Sequence, residues 1–237
     1  MATTFARRSY RNRVLASLPA DLIEQLAPHL TPVDLPVNRA LNDAGGRVDT
    51  VYFLEDGICS MVVTMASGAT VEAGRIGRDG FVGIAALLGA THTPNRCFMA
   101  IGGHGYRIKA KILQEHFESS SQLRLCLLRS VHSLLVQTAQ TAACNRVHEL
   151  PERLARWILM CDDRLGAGHA PVTQDMLAMM LGTRRSSISV AAGVLKKAGY
   201  IEYKRGRVTI QDHAGLVKAA CECYRVVNDE YLRLGLL

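Results

Sequence analysis

The pattern of apolar and polar positions changes period twice along this chain. From residue 14 to 30 (VLASLPADLIEQLAPHL) the apolar positions recur at helical spacing, with Pro19 and Asp21 near a helix start. From about 33 to 110, short apolar runs alternate with small or polar residues and are punctuated by glycine, as in VDTVYFLEDG, ICSMVVTMASG, TVEAGRIG and RCFMAIGGHGYRIK. Such alternation between turn residues predicts many short antiparallel strands in a sandwich or barrel, with Ser67–Gly68 turning a hairpin. Within that region RDGFVGIAALLGA, at 78–90, predicts a helical insert. Helical spacing returns from about 112 to 148, where Leu127, Val131, Leu134, Thr138, Thr141 and Asn145 alternate by four and three. This is a coiled-coil seam, apolar first and polar toward its end. It can dock on its own strands or pair with a second copy, and pairing is the expectation. Residues 149–165 predict another helix, with Pro151 in its first turn and Leu154, Trp157, Ile158 and Cys161 on one face. GAGHAP reads as a loop, and DHAGLVKAACECYRVVNDEYLRL as a C-terminal helix.

The segment between those last two elements, TQDMLAMMLGTRRSSISVAAGVLKKAGYIEYKRGRVTI at 173–210, carries the most chemistry. Thr173 suits a helix cap, because its hydroxyl can accept from a free first-turn N–H. Ala178 is small where two helices would cross. Gly182 falls where a tight turn needs positive φ. Leu177, Leu181 and Ile188 are apolar where the two helices share a core. The pattern predicts a helix-turn-helix and a basic β-wing. Arg184, Arg185, Ser186 and Ser187 then project from the N-terminal end of the second helix, the part that enters the major groove in this motif. From Arg184 to Arg207 there are seven basic residues and one acid, a local +6 within a formal net charge of +7 for the chain. Cations concentrated on one motif are the footprint of phosphate contact.

The remaining composition narrows the choice. A length of 237 residues allows two modest domains. No apolar run is long enough to cross a bilayer, so no membrane partner is expected. The opening stretch MATTFARRSYRNR is basic without an apolar core, so no secretory signal is expected and cytoplasmic residence is the default. Seven cysteines, at 59, 97, 126, 144, 161, 221 and 223, show no Cys-x-x-Cys pair. Cys221 and Cys223 would diverge on a helix, so no metal site is expected and the thiols read as reduced packing residues, with a redox role for Cys126 or Cys144 as the alternative. Neither Asp162–Asp163 with His169 nor His148–Glu149 amounts to a catalytic arrangement, so no enzyme activity is expected.

The order of parts resembles the Crp/Fnr family of bacterial transcription regulators. ERLARWIL, TQDMLAMMLGTRRSSISVAAGVLKKAGYIEY and RGRVTIQD carry the resemblance across 149–212, and the strand and glycine rhythm of 14–148 is similar to a cyclic-nucleotide-binding barrel. The resemblance implies an α+β chain: a cyclic-nucleotide-binding-like jelly roll over 1–120, a dimerisation helix over 121–148 and a winged helix-turn-helix DNA-binding domain over 149–237. It implies a homodimer on a palindromic site in double-stranded DNA, and contact with RNA polymerase. Candidate DNA-binding residues are Thr173, Arg184, Arg185, Ser186, Ser187, Ser189, Lys204, Arg205 and Arg207.

Departures from the family's pattern matter as much. FVGIAALLGATHTPNRCF corresponds to the family's ligand cassette. Gly83 is in place, but Ile84 stands where a Glu would accept ribose hydroxyls, and Cys97 follows Arg96 where a Ser is usual. Ile84 cannot accept those bonds, and an unpaired buried hydroxyl is costly. Thr138 falls at the adenine-contacting position and Ala139 follows it. Gly83, Arg96, Cys97 and Thr138 are therefore candidates for an unknown effector or for none, with cyclic AMP in the usual pose disfavoured. No cofactor is expected: there is no Cys before position 59 to hold the iron–sulfur cluster of the oxygen-sensing branch, and His92, Cys97 and His104 lack haem spacing. On the second helix Ser186 and Val190 replace a base-reading Glu and Arg, which implies an altered half-site. The rival reading is a small-molecule- or protein-binding module whose winged domain contacts protein rather than DNA.

Overall fold

The computed structural model describes residues 10–236; the first nine residues, with most of the stretch read as lacking a leader, and Leu237 lie outside them. Two short helices, α1 (Arg13–Ala16) and α2 (Ala20–Leu26), come first. Strands β1 (Thr31–Leu35), β2 (Ala40–Asn42), β3 (Thr50–Leu54), β4 (Ile58–Thr64), β5 (Thr70–Ile76) and β6 (Phe81–Val82) follow, then helix α3 (Ile84–Leu87) and strands β7 (Arg96–Ile101) and β8 (Gly103–Lys109). They form two four-stranded antiparallel sheets, ordered β1-β8-β3-β6 and β2-β7-β4-β5. The chain crosses repeatedly from one sheet to the other, as in a jelly roll.

The period of two decides where each strand residue goes. On β3, Val51 and Phe53 join the core shared with the helices, while Tyr52 and Leu54 pack between the sheets with Leu35, Val82, Cys59, Cys97 and Met99. Both faces of this strand are covered, so its apolar run is continuous.

After β8 come α4 (Ala110–Ser119), α5 (Ser121–Val147) and α6 (Leu150–Leu165), then β9 (His169–Ala170), α7 (Gln174–Met180), α8 (Arg185–Lys197), β10 (Ile201–Lys204), β11 (Arg207–Ile210), α9 (His213–Ala219) and α10 (Cys223–Arg233). Four sequence expectations change here. The insert expected over 78–90 shrinks to the four residues of α3: Gly77–Gly80 makes a turn instead, and Phe81 and Val82 pair with β3. The helix expected from 112 to 148 breaks at Ser120, whose hydroxyl accepts from the Leu123 N–H at 3.2 Å and caps α5. The C-terminal helix is two helices, α9 and α10, separated by extended backbone at Ala220.

The fourth change concerns α5. The seam at Leu127, Val131 and Leu134 is buried against this chain itself. Leu127 and Val131 join the main core and Leu134 reaches the core between the sheets. The stripe left exposed is another one: Leu125 (51 % exposed), Leu128, Leu135 (63 %), Ala139 and Ala142, with His132 between them. It too follows the alternating spacing of three and four. Apolar residues lie all round this helix, so the sequence alone supports either face.

The second half packs directly on the strand domain through buried charge. Glu72 and Arg75 of β5 form an ion pair at 2.6 Å. Trp157 of α6 donates from its indole N–H to Glu72 at 3.2 Å, and the Arg75 guanidinium lies 4.8 Å from the Trp157 ring centroid. Arg75 also donates to the Trp157 carbonyl at 3.0 Å. Two turns further along α6, Arg164 pairs with Asp79 at 2.5 Å, both almost wholly buried. Gly77 lies flat against the Arg164 stem, where an added Cβ would come within 2.9 Å of it.

Candidate nucleic-acid interface

Local sequence chemistry builds the reading unit. Helix α6 opens on a capping box, with Glu149 and Glu152 satisfying each other's backbone N–H groups and Pro151 in the first turn. Thr173 caps α7 by accepting from the Met176 N–H at 3.2 Å, which leaves its own hydroxyl proton free to donate. Gly182 has φ +60°, and a Cβ there would also sit 3.2 Å from Val71 of β5, so this turn touches the strand domain. Leu177, Ala178, Leu181 and Ile188 are all buried in the core, as the pattern predicts.

Arg184 is the N-cap residue of α8 and spends no side-chain bond on capping; Arg185 is the first helical residue. The exposed side of α8 carries Arg185, Ser186, Ser189, Val190, Gly193, Val194 and Lys197, while Ile188, Ala191, Ala192 and Leu195 face inward. Ser187 is half-buried. Val190 is 70 % exposed and Val194 51 %. Gly193 and Val194 did not figure among the sequence candidates; the signal for them was the fourth-residue spacing from Ser189 and Val190.

The wing is a two-residue hairpin. Lys204 faces Arg207 across it, and Arg205 and Gly206 both have positive φ, +50° and +73°. That is the turn whose twist matches a β-ribbon, and it lifts the Arg205 side chain clear of the sheet. Strand β9 adds a third strand against β11, and the Tyr203 hydroxyl donates to the Val172 carbonyl at 2.9 Å. The wing is thereby fixed to the start of α7.

The cations divide into two groups. Arg185 lies 3.5 Å from Asp175, with both side chains exposed, and Lys196 lies 2.8 Å from Glu202. That lysine holds the Glu202 carboxyl below its ordinary range. Arg184, Lys197, Lys204, Arg205 and Arg207 make no ion pair among the described residues. Exposed pairs contribute little to stability, so Asp175 orients Arg185 without committing it.

The effector candidates come from three elements: Gly83 precedes α3, Arg96 and Cys97 lie on β7, and Thr138 lies on α5. Gly83 has φ +108° and lies against β3, where a Cβ would stand 2.9 Å from the Thr50 carbonyl oxygen. Arg96 is exposed, its guanidinium 5.2 Å from the Phe98 ring centroid. Cys97 is buried in the core between the sheets together with Cys59. Thr138 donates to the Leu134 carbonyl of its own helix at 2.9 Å. Ile84 is half-buried and lines a cavity of about 10 Å³ with Leu134, Ser130 and Tyr231.

A second side-chain group lies at the far end of α5. Cys144, His148, Cys221 and Cys223 bring their sulfur and nitrogen atoms within 4.8 Å of one another. The sequence reading sent Cys221 and Cys223 apart on one helix, but Cys221 precedes α10 and Cys223 begins it, so both thiols turn to the same point.

Residues 152–219 match the family of Crp-like helix-turn-helix domains. The chain carries a Crp-like helix-turn-helix domain and has the Crp/Fnr architecture. Solved structures of the same fold include FixK2 from Bradyrhizobium japonicum, with a TM-score of 0.71 and 15 % identity over 81 % of this chain and 98 % of that one. The c-di-GMP-responsive global regulator CLP of Xanthomonas campestris matches with a TM-score of 0.67 and 16 % identity over 82 % and 100 %. A Crp/Fnr-family transcriptional regulator from Thermus thermophilus matches with 0.65 and 19 % over 80 % and 98 %. No curated protein matches the chain by sequence. The Crp-like domain thus spans α6, both helices of the motif, the wing and α9, and the related structures named for a role are regulators, not enzymes. No helix among the described residues is long and apolar enough to cross a membrane.

Proposed function

We propose that the chain is a dimeric, sequence-specific DNA-binding transcription regulator, with an effector-like domain over 1–120, a dimerisation helix over 121–148 and a DNA-binding domain over 149–237. The observation that carries this reading is the start of α8. Inside a Crp-like domain, Arg184, Arg185, Ser186 and Ser189 present exposed side chains toward the end of the helix that enters the major groove, beside a wing with three cations that make no ion pair among the described residues. Arg185 reads a guanine through its two parallel N–H groups. Val190 and Val194 offer thymine methyl contact, and Gly193 lets the helix approach closely. Thr173, Ser187 and Ser189 donate to phosphates, and Lys204, Arg205 and Arg207 hold backbone at the wing.

The decisive experiment selects the preferred duplex from a random pool and measures binding to it across salt concentrations. Arg185→Ala is expected to cost about 1–3 kcal/mol and to relax preference at one base pair of each half-site. Wing replacements such as Lys204→Ala weaken all sequences alike and lower the salt slope by about one. An Arg185→Ala chain with unchanged affinity and preference overturns the assignment. DNA binding that is weak and indifferent to sequence would favour the winged domain as a protein contact.

The exposed stripe on α5 supports the dimer. Two copies packed along Leu125, Leu128, Leu135, Ala139 and Ala142 would bury it as a coiled-coil seam. Leu135→Glu places a charge in that seam and is expected to convert the dimer to monomer in light scattering, with weaker binding to a palindromic site. Leu134→Glu would instead strike the chain's own core and lower stability, so the two neighbouring positions separate the faces.

Unresponsiveness to cyclic AMP in the usual pose is part of the same proposal. Its support is the apolar Ile84 in place of an acceptor, the exposed Arg96 stacked on Phe98, and the packing of Leu35, Leu54, Val82 and Met99 between the sheets. Calorimetry with cyclic AMP is expected to show no heat of binding.

A further inference from the structure

From the geometry at the end of α5 we infer a tetrahedral metal site for a thiolate-preferring divalent cation, zinc above all, held by Cys144, His148, Cys221 and Cys223. The four ligating atoms lie within 4.8 Å of one another. A zinc ion about 2.3 Å from each thiolate sets tetrahedral sulfurs ~3.8 Å apart, so the cluster has the dimensions of one ion. The Cys144 and Cys221 sulfurs are 3.5 Å apart, and Cys223 Sγ is 3.5 Å from His148 Nδ1. An iron–sulfur cluster spreads its ligating sulfurs around several metal atoms and needs a wider cage. Three thiolates and one imidazole, rather than carboxylates, select zinc over magnesium or calcium.

Local structure explains why the four atoms meet. Cys144 and His148 are one helical turn apart, and His148 is the C-cap of α5. Its backbone N–H donates to the Cys144 carbonyl at 3.1 Å. The break between α9 and α10 then swings both Cys221 and Cys223 onto that end of α5.

The surroundings also have the form that a metal site needs. His148 turns Nδ1 toward Cys223, and its Nε2 lies 3.0 Å from a Glu222 carboxylate oxygen. Donation of the second ring N–H to a carboxylate fixes the tautomer and orientation of a ligating histidine. Gln140 donates to Cys223 Sγ at 3.1 Å. Three thiolates with one divalent ion carry a net charge of −1, and the buried Arg156 guanidinium beside Cys144 offsets it. The three cysteines are 1–5 % exposed, leaving no open coordination position, so the site is structural rather than catalytic. It would join the end of α5 to the α9–α10 turn, next to the hinge between α5 and α6.

The test uses the full chain, purified under reducing conditions and stripped with a chelator. On adding zinc it is expected to retain one ion per chain by elemental mass spectrometry. Cobalt(II) in its place is expected to give the visible bands of a tetrahedral ion and a thiolate charge-transfer band of three-sulfur intensity. Cys144→Ser, Cys221→Ser, Cys223→Ser and His148→Ala each lose stoichiometric metal, while Cys126→Ser retains it. His148→Cys restores binding with a stronger charge-transfer band. Glu222→Gln weakens the ion on the order of 10- to 100-fold in competition with a chromogenic chelator. If a variant fails to fold, the cobalt spectrum of the unmodified chain still decides. A reduced chain without stoichiometric metal, an octahedral cobalt spectrum, or a Cys144–Cys221 disulfide as the only response of these thiols overturns the inference.

Discussion

Asp79→Ala is expected to destabilise the chain by about 3–5 kcal/mol, the cost of stranding one member of a buried ion pair. Arg164 is 3 % exposed and Asp79 2 %, so water cannot replace the lost partner. Burial alone would push the guanidinium toward its neutral form, and Asp79 outweighs that, holding Arg164 above its ordinary range. Without the carboxylate the guanidinium keeps its bond to the Met160 carbonyl at 2.7 Å but not its counter-charge. The Gly77 N–H, which donates to the other Asp79 oxygen at 2.9 Å, loses its acceptor as well. Urea unfolding followed by circular dichroism and by the single tryptophan measures the loss. The double replacement Asp79→Leu with Arg164→Met removes both charges and is expected to recover most of it, because a buried pair adds little over apolar packing. A loss below about 1 kcal/mol for Asp79→Ala would mean that water reaches the pair in solution, as it does for an exposed ion pair.

Trp157→Ala is expected to cost a similar amount, about 3–5 kcal/mol, for a different reason. The ring is 1 % exposed and fills the junction between α6 and β5. Truncation leaves a cavity, strips Glu72 of an N–H donor and removes the aromatic face under Arg75. Glu72 keeps Arg75 at 2.6 Å and the Ser60 hydroxyl at 2.5 Å, so the charge itself stays partnered. Trp157→Phe retains most of the packing but not the N–H, and a loss of roughly 1–3 kcal/mol follows from the weakened bond to a buried carboxylate. The ratio of the two losses in chemical denaturation separates packing from hydrogen bonding. Both sites lie where the reading domain meets the strand domain, so each variant also tests how firmly α8 is held relative to β5.

How legible these features were follows from how local their causes are. The helix-turn-helix could be read because each signal acts within a few residues: the Thr173 cap, the positive φ at Gly182 and the inward face of α8. The short strands could be read because alternation and glycine turns act locally too. The insert over 78–90 misled because apolar small residues suit a helix as well as a buried strand, and Asp79 was needed elsewhere. The face of α5 could not be chosen from spacing, since Leu127, Val131, Leu134 and Leu125, Leu128, Leu135 satisfy similar rules. The second stripe became visible only when α10 and the strands covered the first.

What the chain's sequence determined by itself is the set of local elements that short-range sterics, capping and periodicity dictate, and the concentration of cations at one end. Tertiary structure alone decided which side of α5 is free. It alone brought Glu72 and Asp79 to Trp157 and Arg164, some 85 positions away, and Cys221 and Cys223 to Cys144. Those choices depend on burial and charge pairing across distant segments, and no short-range pattern encodes an interaction whose energy exists only once both partners have left water.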